Sequence, residues 1–237
     1  MKIFVFAALL VLISPILILG QTADQISEDG VEIVNKKMYV KGNLLMGLGF
    51  DKVLAAKKYS EDKDDTDDIY IRPGGGLGVE GVIGYNITSA ITGEIGIGYQ
   101  FSGETVSSDH VYFKKIPFRA TLLYKSANKI KQFSLYYGAG VSTNLSTKYD
   151  VEEGDDKLVV TYENPVGFHG IIGADFISTG SPLFITGEVR FVSMADYEVK
   201  SAELNGNDMS ISLVKSDFQT LSSSGVHFII TIGYYIK

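Results

Sequence analysis

Cysteine is absent from this chain of 237 residues. That excludes disulfides, thiolate metal sites and thiol catalysis, and also a lipid anchor on an N-terminal cysteine. Positive charge is scarce as well. The net charge is −7, and no basic cluster offers a track for phosphates, which argues against a nucleic-acid partner. Long apolar runs are confined to the first residues, "MKIFVFAALLVLISPILILG". One lysine followed by an apolar stretch to Leu19 reads as a secretory signal peptide over 1–20, cleaved after Gly20. Ser14-Pro15 inside the stretch interrupts a membrane helix there. Residues 21–36 then read as a short periplasmic lead, and residues 37–237 as the folded domain.

What the chain does contain is alternation. In "ITGEIGIGYQF" (91–101), Ile91, Gly93, Ile95, Ile97, Tyr99 and Phe101 take one face. Thr92, Glu94, Gly96, Gly98 and Gln100 take the other. Period-two alternation predicts a β-strand with unlike faces. The pattern recurs at 38–50, 77–87, 112–125, 133–145, 166–176, 183–191 and 225–237, which makes eight strands. Connections alternate between short turns (88–90, 126–132, 177–182) and longer, mostly polar segments (51–75, 102–112, 148–164, 192–221). All the long segments therefore fall at one end of an up-and-down sheet, with both chain ends at the other.

The second face of these strands is unusual. A water-facing strand would carry many charges; here the face is glycine-rich with few ionisable groups, although glycine weakens strands. A narrow barrel interior explains that composition, because inward side chains must share little space. The apolar face then points to lipid, and the sheet must close, since an open edge would leave backbone groups unpaired in hydrocarbon. Tyr85, Tyr124, Phe133, Phe176 and Tyr234 gather near the short turns, and Phe50, Tyr99, Phe101, Phe168 and Phe191 near the long segments. These form two interfacial aromatic girdles. The expected fold is all-β: an eight-stranded antiparallel up-and-down transmembrane β-barrel.

With this strand-loop grammar, and with "IPFRATLLYK", "LYYGAGV" and "GVHFIITIGYYI", residues 37–237 resemble the small bacterial outer-membrane β-barrel family, akin to the OmpA transmembrane domain and OmpX. The resemblance implies outer-membrane localisation and a monomer. It also implies contact with outer-membrane lipid and lipopolysaccharide, and handling by the barrel-assembly machinery during biogenesis. Such families usually end on an aromatic residue; here the end is Tyr235-Ile236-Lys237, so that signal is offset or absent.

Candidate chemistry is sparse. "GLGVEG" (76–81) matches a dinucleotide-binding glycine pattern, but it opens a strand with no helix behind it. The acidic run "EDKDDTDD" (61–68) could bridge divalent cations, yet it lacks the glycine and distal glutamate of an EF-hand loop and reads as a solvated loop. His169 and His227 face inward by parity, and no Ser-His-acid set can be built around them or His110. No catalytic, cofactor or metal site is expected. By parity Lys41, Glu80, Glu94, Arg119, Asp175, Glu188 and Arg190 face the lumen, four acids against three bases, and confined charges must pair or be hydrated. The expected function is non-enzymatic, structural or surface-interacting, with a plugged polar lumen. An external ligand would meet loops 51–75 and 192–221. The alternatives are a small channel for ions or solutes and a membrane-embedded lipid-modifying enzyme.

Overall fold

The computed structural model describes residues 38–59, 66–106, 109–126, 133–177, 181–214 and 216–236. The signal peptide and the polar lead lie outside them, as do residues 61–65 of the acidic run 61–68.

Among the described residues there are fourteen strands: β1 (Met38–Gly49), β2 (Val53–Tyr59), β3 (Thr66–Ile71), β4 (Gly76–Asn86), β5 (Ile91–Val106), β6 (Asp109–Lys125), β7 (Phe133–Glu153), β8 (Asp156–Tyr162), β9 (Val166–Ile177), β10 (Leu183–Met194), β11 (Tyr197–Leu204), β12 (Asn207–Met209), β13 (Thr220–Leu221) and β14 (Gly225–Ile236). A single-turn helix, α1 (Ser216–Gln219), precedes β13. Eight strands close an antiparallel barrel in the order β1-β4-β5-β6-β7-β9-β10-β14, with β14 returning to β1 over twelve paired positions from Met38–Ile236 to Gly49–Gly225. Every edge inside the barrel is paired, which is what a sheet in hydrocarbon requires.

Alternation along β1 is complete: even-numbered Leu44, Met46 and Leu48 are exposed, and odd-numbered Tyr39, Lys41, Asn43 and Leu45 are buried (Leu45 counted inward by the same parity). The exposed residues of the other walls include Ile83, Ile95, Ile172, Ile185, Ile230 and Ile232. An apolar exterior around a polar interior inverts the arrangement of a water-soluble domain. No helix among the described residues is long and apolar enough to cross a membrane, and the crossing is made by strands.

The inner glycines seat large side chains. A Cβ at Gly84 would collide with the ring of Tyr39, one at Gly173 with Tyr136, and one at Gly233 with Phe184. These buried aromatics fill much of the lower lumen, where Tyr39, Phe184 and Tyr235 form one cluster.

The long connections depart from the expectation of polar loops. They hold β2, β3, β8, β11, β12, β13 and α1, and β5, β6 and β7 continue well past the apolar belt. β7 leaves its barrel neighbour β9 at Thr143 and pairs instead with β8 from Lys148 onward. β8 pairs with β11, and β11 with β12. The result is a cap standing on one side of the barrel. Its core contains Ile71, Val111, Phe113, Tyr149, Val160, Tyr162, Tyr197, Ala202, Val214, Phe218 and Leu221. Phe218 of α1 stacks on Tyr149 at 4.4 Å, and the Tyr162 hydroxyl donates to the Phe218 carbonyl at 3.0 Å. The β11–β12 hairpin turns at Asn205-Gly206, both with positive φ (53° and 78°), as a two-residue turn between twisted strands demands.

A bulge marks where barrel becomes cap. Between Lys115–Thr147 and Pro117–Asn144, β7 gains one residue over β6. Asn144 faces inward below it; Thr147 and Tyr149 face inward above it. Strand β10 also runs past the expected 191 to Met194.

Candidate functional site: the charged lumen

The structure places all seven parity-selected charges inside the barrel, each at most 5% exposed. Six of them, Lys41, Glu80, Glu94, Arg119, Glu188 and Arg190, form one connected network. Glu80 on β4 is its hub. It accepts from Arg119 Nε on β6 at 3.0 Å and from Arg190 Nη1 on β10 at 3.1 Å, and it accepts from Asn43 Nδ2 on β1 at 2.7 Å. In the barrel order β4 and β10 are three places apart, so the Arg190–Glu80 pair reaches across the lumen.

Arg119 also bridges to Glu94 at 3.2 Å. Glu94 in turn takes Lys41 and the Tyr39 hydroxyl, each at 2.6 Å. Arg190 closes the other side on Glu188 at 3.0 Å, and the Tyr136 hydroxyl donates to Glu188 at 2.9 Å. Both Glu80 and Glu94 therefore have cations and a neutral donor on their oxygens. That is the condition under which buried charge is tolerated, since removing one partner strands the other.

Asp175 stands apart from this network, nearer the short turns. It pairs with Lys125 at 3.3 Å and accepts from Thr186 at 2.7 Å. Lys125 is thus a further base for the inward acids, and it sits at the very end of β6, where parity arguments lose hold. Tyr39, Tyr136, Asn43 and Thr121 also belong to the site. Their inward parity was visible, but that Tyr39, Asn43 and Tyr136 donate to carboxylates while Thr121 accepts from Arg119 depends on which walls face each other.

His169 donates or accepts at both ring nitrogens: Nδ1 meets Ser142 Oγ at 2.7 Å and Nε2 meets Thr121 Oγ1 at 2.9 Å. Thr121 is held in turn by Arg119. The ring contacts hydroxyls on both sides and no carboxylate, so it tethers β9 to β6 and β7 and has no acid to orient it as a base. His227 Nε2 hydrogen-bonds the Gly74 carbonyl at 3.1 Å. His110 lies in the cap, stacked on Tyr112 at 5.9 Å. Among the described residues no group of three or more His, Asp or Glu is placed to hold a metal ion.

A closed, lipid-facing eight-strand barrel with a charge-packed lumen is a recognisable architecture. The fold is that of the small outer-membrane β-barrels. OprG from Pseudomonas aeruginosa matches at 13% identity, covering 84% of this chain and 95% of that one, with a TM-score of 0.50. Neisserial surface protein A matches at 12% identity over 84% of this chain and 97% of that one (TM-score 0.47). Ail of Yersinia pestis, in a complex with the heparin analogue sucrose octasulfate, matches at 10% identity over 84% and 96% (TM-score 0.42). No family model and no curated protein matches the sequence. The outer-membrane barrel fold is thus shared at the level of architecture, while the cap and the lumen chemistry are read from this chain's own residues.

Proposed function

We propose that this protein is a non-enzymatic, monomeric barrel of the bacterial outer membrane that acts at the cell surface through its cap, with a lumen closed to bulk water. The observation that carries the reading is Glu80 bridged at once to Arg119 and Arg190 from opposite parts of the wall. An eight-stranded barrel has an interior just wide enough for its own side chains. Here that interior holds the Glu80 network at mid-height and Tyr39, Phe184 and Tyr235 below it. The lipid-facing belt and the two aromatic girdles support residence in a bilayer, and the fold supports the outer membrane and its assembly machinery. The orientation that follows puts the cap outside the cell. The surface available to an external ligand is then built from the segments 51–75 and 192–221, next to outer-leaflet lipid and lipopolysaccharide.

Planar-bilayer recording tests the closed lumen. The unaltered protein is expected to give no steady conductance. A sustained open pore would replace this reading with that of a small channel. Outer-membrane fractionation, with heat-modifiable migration on a gel, tests the localisation; recovery in the soluble fraction would defeat it.

A further inference from the structure

The turn Arg72-Pro73-Gly74-Gly75, between β3 and β4, lies across the mouth of the barrel on the cap side. We propose that it is a main-chain latch that seals this mouth, a second closure in series with the Glu80 network. The proposal deepens the closed-lumen reading and rests on it.

Three consecutive carbonyls carry the inference. Pro73 O accepts from Lys115 Nζ at 3.0 Å, Gly74 O from His227 Nε2 at 3.1 Å, and Gly75 O from Gln100 Nε2 at 2.7 Å. The donors come from β6, β14 and β5. In the barrel order β6 and β14 stand four places apart in either direction, which makes them opposite walls. One turn therefore touches both sides of the opening. Pro73, Gly74 and Gly75 are all buried, in keeping with a segment docked inside the rim and not draped over it.

The docking needs glycine. A Cβ at Gly74 would collide with the Ser224 carbonyl, and one at Gly47 would meet Gln100 Nε2 at 2.8 Å and Gly74 O at 3.0 Å. Bare backbone on both sides lets the turn descend until its carbonyls reach the lumen donors. Arg72 fixes the entry to the turn by donating from Nη1 to Gly49 O at 3.0 Å, and Gly75 N closes it on Arg72 O at 2.8 Å.

Lys115 couples this latch to the cap. Besides Pro73 O, its ammonium donates to Ser223 Oγ at 2.8 Å, in the segment that leads from the cap into β14. Among the described residues it makes no salt bridge to a carboxylate; its ammonium donates to one acceptor on each of the two segments it holds together. Displacing either segment leaves the buried ammonium short of an acceptor, which favours entry of water at the mouth and so loosens the latch. The latch is a device by which an event at the cap reaches the lumen.

The absence of native cysteine makes the test clean. Leu45 points inward between the turn and the Glu80 level and is 2% exposed. Leu45→Cys, purified in micelles, is treated with a small charged methanethiosulfonate reagent, alone and combined with Gln100→Leu plus Lys115→Met. Gly74→Val provides a second release that leaves the barrel wall untouched; heat-modifiable migration verifies folding of each variant. With the latch intact the thiol should react slowly, and either release should raise the rate by roughly tenfold or more. Equal rates in latched and released folded proteins would overturn the latch. Bilayer conductance of the same proteins separates the two readings. Steady conductance of the released proteins but not of the latched one would refute closure by the Glu80 network and keep the latch; a rapidly labelled thiol in a non-conducting, latched protein would refute the latch and keep the closed lumen.

Discussion

The lumen and the cap are built partly from the same strands, yet they bury opposite kinds of side chain. On the inner face of β6, Val111 and Phe113 enter the apolar core of the cap, Lys115 holds the mouth, and Arg119 joins the charged network below. No change of parity separates them. The change is in what lies outside the wall. Around the barrel the outside is lipid, so apolar side chains go outward and the enclosed polar groups must satisfy one another. Around the cap the outside is water, and the ordinary driving force puts Phe113, Tyr149 and Phe218 inside. Burial is common to both regions; only the solvent differs.

The sharpest way to break this contrast is to remove the hub of the lumen. Glu80→Ala leaves Arg119 and Arg190 facing each other without their shared carboxylate, and should lower barrel stability by about 3–5 kcal/mol, less where water enters. The midpoint of the folded-to-unfolded gel shift with temperature measures it; an unchanged midpoint would show that the pairs contribute nothing. The cap should keep its resistance to protease at temperatures below that midpoint.

Next in size is a charge on the lipid face. Ile230→Arg, at a position 67% exposed near mid-barrel, should cost roughly 2–4 kcal/mol in a bilayer. The same change at Leu213, exposed on the cap, should be nearly neutral. Equal costs at the two sites would remove the distinction between lipid and water that the two regions rest on.

A smaller effect is expected at the junction. Asn144 donates its amide to the Tyr197 hydroxyl, linking β7 at the bulge to the cap. Tyr197→Phe leaves that buried amide without this acceptor, at a cost of about 1–3 kcal/mol. Faster proteolysis within 192–221, with unaltered heat-modifiability of the barrel, is the expected signature.

The mildest perturbation is alkaline pH. Burial pushes the Tyr197 phenol up to about 12 from its ordinary 10.0 and raises Tyr149 and Tyr162 as well. A phenol that holds its proton more tightly when folded contributes stability that is complete below pH 10 and is lost as pH rises through the folded value. The cap should therefore loosen progressively above about pH 10, read by protease cutting at 192–221 together with tyrosinate absorbance. Loosening that begins well below that pH would mean these phenols are not buried.

Which side of the wall each residue takes was legible in the sequence, because a strand's side chains alternate with a period of two and lipid on one side permits no mixing. Ile95 outward and Glu94 inward follow from that alone, and so does closure of the sheet. The cap was hidden because its strands are short and flanked by charge: "DKLVVTYE" (156–163) has only a brief apolar centre. The bulge near Leu145 further shifts the parity of β7, so its upper half reads out of phase with its lower half. Lys115 lies within the expected strand 112–125 and has the same parity as Arg119, so its inward direction was legible too; its partners across the mouth were not.

Strand parity alone is enough for the set of inward and outward residues, and with it an eight-stranded barrel with ionisable groups inside. Closure of the fold is what brings Glu80 to both Arg119 and Arg190, carries the Pro73–Gly75 carbonyls to opposite walls, and gives the long connections a shared core. Parity gives the direction of a side chain from its own strand. The partners depend on strand register and on which walls confront each other once the sheet closes, and these distances exist only in the closed barrel.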